Sequence, residues 1–178
     1  MIWDPRSLPI ESQWFKDGPL VPVEFTRQSS DGRMTLVIEP TATSVQVLWS
    51  VMRPSEIQKA REALRNREGI PGNNWISQIG SWQRGEAMPQ LMPDLSDWTK
   101  EHALDAAVWT ALGARFNGQV VTPKVDQVIK YLKSLTGEVR DIAEQYVRRT
   151  PRQIDTDYRR RIEATLGWSY ADSNSGHI

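Results

Sequence analysis

Apolar and polar positions follow two rhythms along this chain, alternation in its first third and helical spacing after it. Val21 to Thr26 alternates, with Val21, Val23 and Phe25 on one face, and predicts a strand. Met34 to Glu39 predicts a second, with Asp31-Gly32 as a turn signal between them. Val45-Gln46-Val47-Leu48-Trp49-Ser50-Val51-Met52 is apolar enough for a strand covered on both faces. Arg53-Pro54 ends it. Ser55 then reads as a helix N-cap, with Gln58 completing a capping box. The stripe Ile57, Ala60, Leu64 has helical spacing and steps next onto Glu68, and Gly69 suits the position just past the helix end.

From Ile70 to Pro93 the chain is rich in Gly, Pro, Asn and Gln, and reads as a loop pinned by Trp75, Ile76, Ile79 and Trp82. Helical signals follow. Asp94 or Ser96 caps a helix running to about Gly113, with Trp98, Ala106, Trp109 and Leu112 inward. Thr122-Pro123 opens the next, with the stripe Val125, Val128, Ile129, Leu132, Leu135 and Gly137 closing it. Val139, Ile142, Ala143, Tyr146 and Val147 mark a third, stopped by Pro151. Asp155 caps a fourth, with Tyr158, Ile162 and Leu166 inside and Gly167 at its end. The expected class is α+β: residues 1–93 a small mixed sheet or barrel with one helix, 94–168 a helical subdomain, and 169–178 a polar, flexible tail.

Length and charge exclude some roles. At 178 residues one core of substantial size is expected. Lys plus Arg and Asp plus Glu are 22 each, so no global charge draws the chain to nucleic acid or an anionic membrane. There is no cysteine, which excludes disulfides, thiol nucleophiles and zinc–thiolate sites. No apolar run approaches the ~20 residues of a spanning helix, and the start lacks a signal-peptide pattern. A soluble, cytoplasmic, bacterial-type protein is expected; the oligomeric state is left open.

Glu68 is the sharpest chemical signal. A carboxylate at a helix C-terminus opposes the macrodipole, and one on an apolar face loses hydration. Both effects favour the protonated form and push the group toward the range of a general base. The alternative is a frayed last turn with Glu68 in water. The run Val47-Leu48-Trp49 through Glu62-Ala63-Leu64-Arg65-Asn66-Arg67-Glu68-Gly69 resembles the strand, helix and acid segment of the gamma-glutamyl cyclotransferase-like superfamily. Met1-Ile2-Trp3-Asp4-Pro5 is similar to the end of that family's first loop, commonly Tyr-Gly-Ser-Leu-Ile-Trp-Asn/Asp-Pro. Gln28-Ser29-Ser30-Asp31-Gly32-Arg33 with Thr35-Leu36-Val37 resembles the Ser-rich turn and next strand of its glutathione-cleaving branch.

The resemblance implies a barrel-like sheet, Glu68 as catalytic base, and Met1, Ile2 and Trp3 against the substrate, a small gamma-glutamyl molecule. The implied reaction is intramolecular aminolysis to 5-oxoproline plus an amine, with no cofactor and no metal. The family's Tyr-Gly-Ser would lie immediately before Met1. In the family this loop cradles the gamma-glutamyl group with backbone N–H donors. Two expectations follow: a start upstream of Met1, or a degenerate member that keeps the fold as a non-catalytic small-ligand or protein-binding module.

Three other constellations compete. His102 with Glu101 and Asp105 forms either an acid–base or metal cluster or a solvated histidine among surface acids. Arg148, Arg149, Arg152, Arg159, Arg160 and Arg161 either share one face toward nucleic acid or, as their splay around helices favours, are dispersed and paired with acids such as Asp155 and Asp157. Of eight tryptophans most are expected in the core, while Trp75 and Trp82 follow Glu68 closely enough to wall a pocket.

Overall fold

A computed structural model describes residues 5–11 and 13–171. The fold is α+β. The elements in order are β1 (Leu20–Gln28), β2 (Met34–Ile38), β3 (Ser44–Gln46), α1 (Ile57–Glu68), a 3-10 turn (Asn74–Ser77), β4 (Ile79–Gln83), α2 (Leu95–Glu101), β5 (Ala106–Thr110), α3 (Val125–Ser134), α4 (Gly137–Arg149) and α5 (Asp157–Leu166). The strands form a three-stranded sheet, ordered β2-β1-β3, and a two-stranded sheet, β4-β5. Among the described residues neither sheet closes into a barrel.

The chain divides into two compact units, one of residues 1–21 and 46–112, the other of 22–45 and 113–178. In the first, α1 lies on β4 and β5. Leu64, Ile70, Trp75 and Ile79 make its core, with Leu8, Val108 and Leu112 packed against them. In the second, β1 and β2 pair antiparallel, with Val23 opposite Ile38 and Gln28 opposite Met34. Phe25 meets the Tyr146 ring of α4 edge-on at 6.2 Å, and the Tyr146 hydroxyl accepts from the Leu36 N–H at 3.2 Å. Val128 and Leu132 of α3 and Ile162 of α5 are buried in the same unit.

Several elements differ from the sequence expectation. β1 buries both faces, because Glu24 and Thr26 are as enclosed as Val23 and Phe25. The strand expected over residues 45–52 shortens to β3. Beyond it, among the described residues, the pairing is by isolated bridges, Phe15 to Trp49 and Ile10 to Met52. Ser55 does not cap α1; Glu56 holds the N-cap position, its carboxylate paired with Lys59 rather than capping the backbone, and Gln58 turns to Glu62. The expected loop after Ile70 contains the 3-10 turn and β4, whose Ile79 and Trp82 are buried.

The largest difference is at residues 94–113. The helix stops at Glu101, Ala103 takes a left-handed φ of 54°, and the chain returns as β5 beside β4. Val108, Trp109 and Thr110 suit a strand better than a helix, and Trp109 lies opposite Gly80, the one residue small enough for its ring. Further on, Gly137 opens α4 rather than closing α3, and Thr156, not Asp155, caps α5. Gly167 ends α5 in the left-handed conformation as expected. Ser169 accepts from Arg148 through its carbonyl, and Ala171 donates to the Arg148 carbonyl. The rest of the expected tail, 172–178, lies outside the described residues.

Candidate functional site

Glu68 is the last residue of α1, followed by Gly69 at φ 64°. Ala60 and Leu64, on the same stripe, are buried, as their spacing predicts. The Glu68 side chain keeps 22% of its exposure and is ion-paired with Arg67, whose side chain keeps 8%. The carboxylate is therefore neither free in water nor alone on an apolar face; a guanidinium supplies the counter-charge that the sequence argument omitted. Residues adjacent on a helix do not ordinarily face each other, and the end of the helix at Gly69 is where such a pair can form.

The segment after Glu68 is fastened back onto α1. Arg65 donates through Nε to the Ile70 carbonyl at 3.1 Å and through Nη2 to Gly72 at 3.0 Å. Arg61 donates to the carbonyls of Ile76 at 2.9 Å and Ile79 at 3.1 Å. Both guanidiniums lie over the Trp75 ring, 5.4 and 5.2 Å from its centre. Trp75 and Trp82 are buried rather than lining an open wall, and the Trp82 indole N–H donates to the Glu86 carbonyl. Met1, Ile2 and Trp3, the expected substrate contacts, lie outside the described residues.

His102 is not part of a cluster with Glu101 and Asp105. Its Nδ1 lies 2.8 Å from the Trp98 carbonyl and its Nε2 3.2 Å from Asp17 Oδ2, while Asp105 is 3.4 Å from Arg84. Among the described residues no group of His, Asp and Glu is arranged to hold a metal ion. Asp17 and Trp49 were invisible as partners in the sequence, because Asp17 stands 85 positions from His102 and no local pattern links them.

Arg148, Arg152, Arg159, Arg160 and Arg161 near the C-terminus are each engaged within the fold. Arg159 is buried against Glu163, Arg160 pairs with Asp155 and Asp157, Arg161 with Asp126, and Arg148 with Glu144. Arg152 lies over the Tyr170 ring. The turn at Ser29 to Arg33 is closed by Asp31, which accepts from the Ser29 hydroxyl at 2.5 Å and from Arg33 Nε at 2.9 Å. Burial works to raise the Asp31 carboxyl, but the hydrogen bonds from Arg33 and Ser29 and the Arg33 charge outweigh it and hold it below the ordinary range.

Comparison with known proteins matches the chain to no family model, no curated protein and no solved structure. Among the described residues no helix is long and apolar enough to cross a membrane.

Proposed function

We propose that the chain is a gamma-glutamyl cyclotransferase-like protein in which Glu68 serves as the base. The observation that carries the reading is the position of Glu68: a half-shielded carboxylate closing α1, immediately before a left-handed Gly69. That is the helix-end acid which the resemblance of the Glu62 to Gly69 run implies. On this reading the Glu68 carboxylate takes a proton from the α-ammonium of a gamma-glutamyl substrate. The freed nitrogen attacks the γ-carbonyl and a ring C–N bond forms; that nitrogen sheds a second proton as the amide C–N bond breaks, and the departing amine takes up both protons and leaves as an ammonium. Products are 5-oxoproline and the amine.

The nucleophile belongs to the substrate, so much of the rate comes from holding the glutamyl chain folded against its own carbonyl. The resemblance assigns that holding to Met1, Ile2 and Trp3 and to a Tyr-Gly-Ser cradle ahead of them. The reaction calls for no cofactor and no metal, and a cytoplasmic supply of gamma-glutamyl peptides would suit it.

The Arg67 ion pair favours a second reading, a non-catalytic module of the same fold that binds a small ligand or a protein. The Glu68 carboxylate is already engaged by a guanidinium, as a charged group held for structure or recognition would be. Incubation with gamma-glutamyl dipeptides separates the two readings. Release of 5-oxoproline supports the enzyme, and a ligand-dependent rise in Tm with the peptide recovered intact supports the binding module.

A further inference from the structure

His102 closes α2 within a group of aromatic rings. Its imidazole stacks on Trp98, with centroids 4.6 Å apart at 29°, and meets Trp49 nearly edge-on at 5.1 Å. Trp49 in turn lies across Trp98 at 88° and beside Phe15 at 4.8 Å. Asp17 is the polar centre of the group. Its Oδ1 accepts from the Trp49 indole N–H at 2.8 Å, and its backbone carbonyl accepts from the Trp98 indole N–H at 2.7 Å.

Both imidazole nitrogens face oxygens that can only accept, the Trp98 carbonyl and the Asp17 carboxylate. A neutral imidazole carries one N–H and satisfies one of them; the imidazolium carries two and satisfies both. The charge also suits its place, because a cation at a helix C-terminus is favoured by the macrodipole. We propose that His102, Asp17 and Trp98 form a proton-dependent latch, in which the imidazolium clamps the segment before β1 to the C-terminal end of α2. Losing one proton leaves an acceptor facing an acceptor and loosens the clamp, which the Trp98 indole N–H to the Asp17 carbonyl then holds alone or with one imidazole bond.

The charged groups acting on the ring are Asp17, from the segment before β1, and Glu101, on α2 itself; Trp49 and Trp98 contribute ring faces and edges. The hydrogen bond to the Trp98 carbonyl is the largest influence raising the imidazole above its ordinary value of 6.5; burial opposes it, and Asp17 and Glu101 reinforce it. The Trp49 and His102 hydrogen bonds lower the Asp17 carboxyl from 3.8. A raised histidine stabilises fully below its unfolded pKa and loses that contribution as pH rises through the folded one. A lowered carboxyl stabilises above its unfolded pKa and loses that contribution as pH falls through the folded one. The latch is thus held while Asp17 is ionised and His102 protonated, and it loosens as pH rises through the raised His102 value, above 6.5.

The test is an NMR titration of the full chain from pH 5 to 9, following the imidazole of His102 and the indole N–H resonances of Trp49 and Trp98. The ordinary imidazole value of 6.5 is the reference, and His102→Gln identifies the His102 signal. The expected result is a His102 midpoint above 6.5, with both indole resonances moving at that same midpoint. In Asp17→Asn, whose position is on an exposed segment, the midpoint should fall and the indole shifts should shrink. A His102 midpoint at or below 6.5, or indole resonances that stay fixed while His102 titrates, would overturn the latch. So would an Asp17→Asn variant that titrates like the parent.

Discussion

The buried Glu24 carboxylate accepts a hydrogen bond from the Thr156 hydroxyl at 2.5 Å, joining β1 to the start of α5 across 132 positions of sequence. It also accepts from the backbone N–H of Phe25 at 2.9 Å and of Tyr158 at 3.1 Å. An anion at a helix N-terminus meets unsatisfied N–H donors there. Thr156 completes the arrangement by accepting from the Arg159 N–H with the same oxygen that donates to Glu24.

Desolvation raises the Glu24 carboxyl above its ordinary value of 4.5, although Thr156, Phe25 and Tyr158 all oppose the shift. For a raised acid the stabilising contribution is complete below the unfolded pKa and is lost as pH rises through the folded one. Urea unfolding of the parent should therefore lose stability from this group as pH rises above 4.5. Glu24→Gln cannot ionise, so that component should vanish. The variant should also be less stable at pH 5, by about 1–3 kcal/mol, because an amide N–H₂ would face the Tyr158 N–H. Parallel pH profiles for the two proteins would contradict the assignment.

Arg159 is 2% exposed and donates to the carbonyls of Thr150, Pro151 and Ile154 as well as to Glu163. A lysine ammonium has three donors and no planar fork, so it cannot span this set. Arg159→Lys should cost at least about 3 kcal/mol of unfolding free energy, the lower end for disrupting a buried charged network. A change within about 0.5 kcal/mol, typical of a surface substitution, would show that the carbonyls are satisfied another way.

A Cβ added at Gly80 would collide with the Trp109 indole on the neighbouring strand. Gly80→Ala should destabilise by about 1–3 kcal/mol, the usual cost of overpacking. Pairing it with Trp109→Val should recover part of the loss, since the two positions share one space. Additive losses in urea unfolding would show that the ring moves aside.

Much of this was legible where the determinants are local. The Asp31-Gly32 turn, the Ile57, Ala60, Leu64 stripe, the Val128 and Leu132 face and the Gly167 stop follow from spacing and backbone chemistry within a few residues. The failures come from distant partners. Residues 106–110 read as helix because Ala and Leu around them fit helical spacing, whereas the β-branched and aromatic run Val108 to Thr110 pairs with β4, a partner more than twenty positions earlier, where Gly80 leaves room for Trp109. His102 was given its sequence neighbours Glu101 and Asp105, whereas its acid is Asp17 on a segment far earlier in the chain. Glu68 was located at the helix end correctly, but its counter-ion on the adjacent residue was not foreseen, because neighbours on a helix usually diverge.

The central claim is that Glu68 is the base of a gamma-glutamyl cyclotransfer, and the most direct measurement is 5-oxoproline released from gamma-glutamyl dipeptides and glutathione. It should be made on the chain as it stands, on the chain carrying a Tyr-Gly-Ser segment ahead of Met1, and on the latter with Glu68→Gln. The amide is nearly isosteric with the acid but cannot take up the ammonium proton. The account predicts little or no turnover without the Tyr-Gly-Ser segment and turnover with it. Glu68→Gln should abolish that turnover with the circular dichroism spectrum unchanged and the protein still folded, at a Tm lowered by the lost Arg67 ion pair. Robust 5-oxoproline formation by the Glu68→Gln protein would contradict the claim.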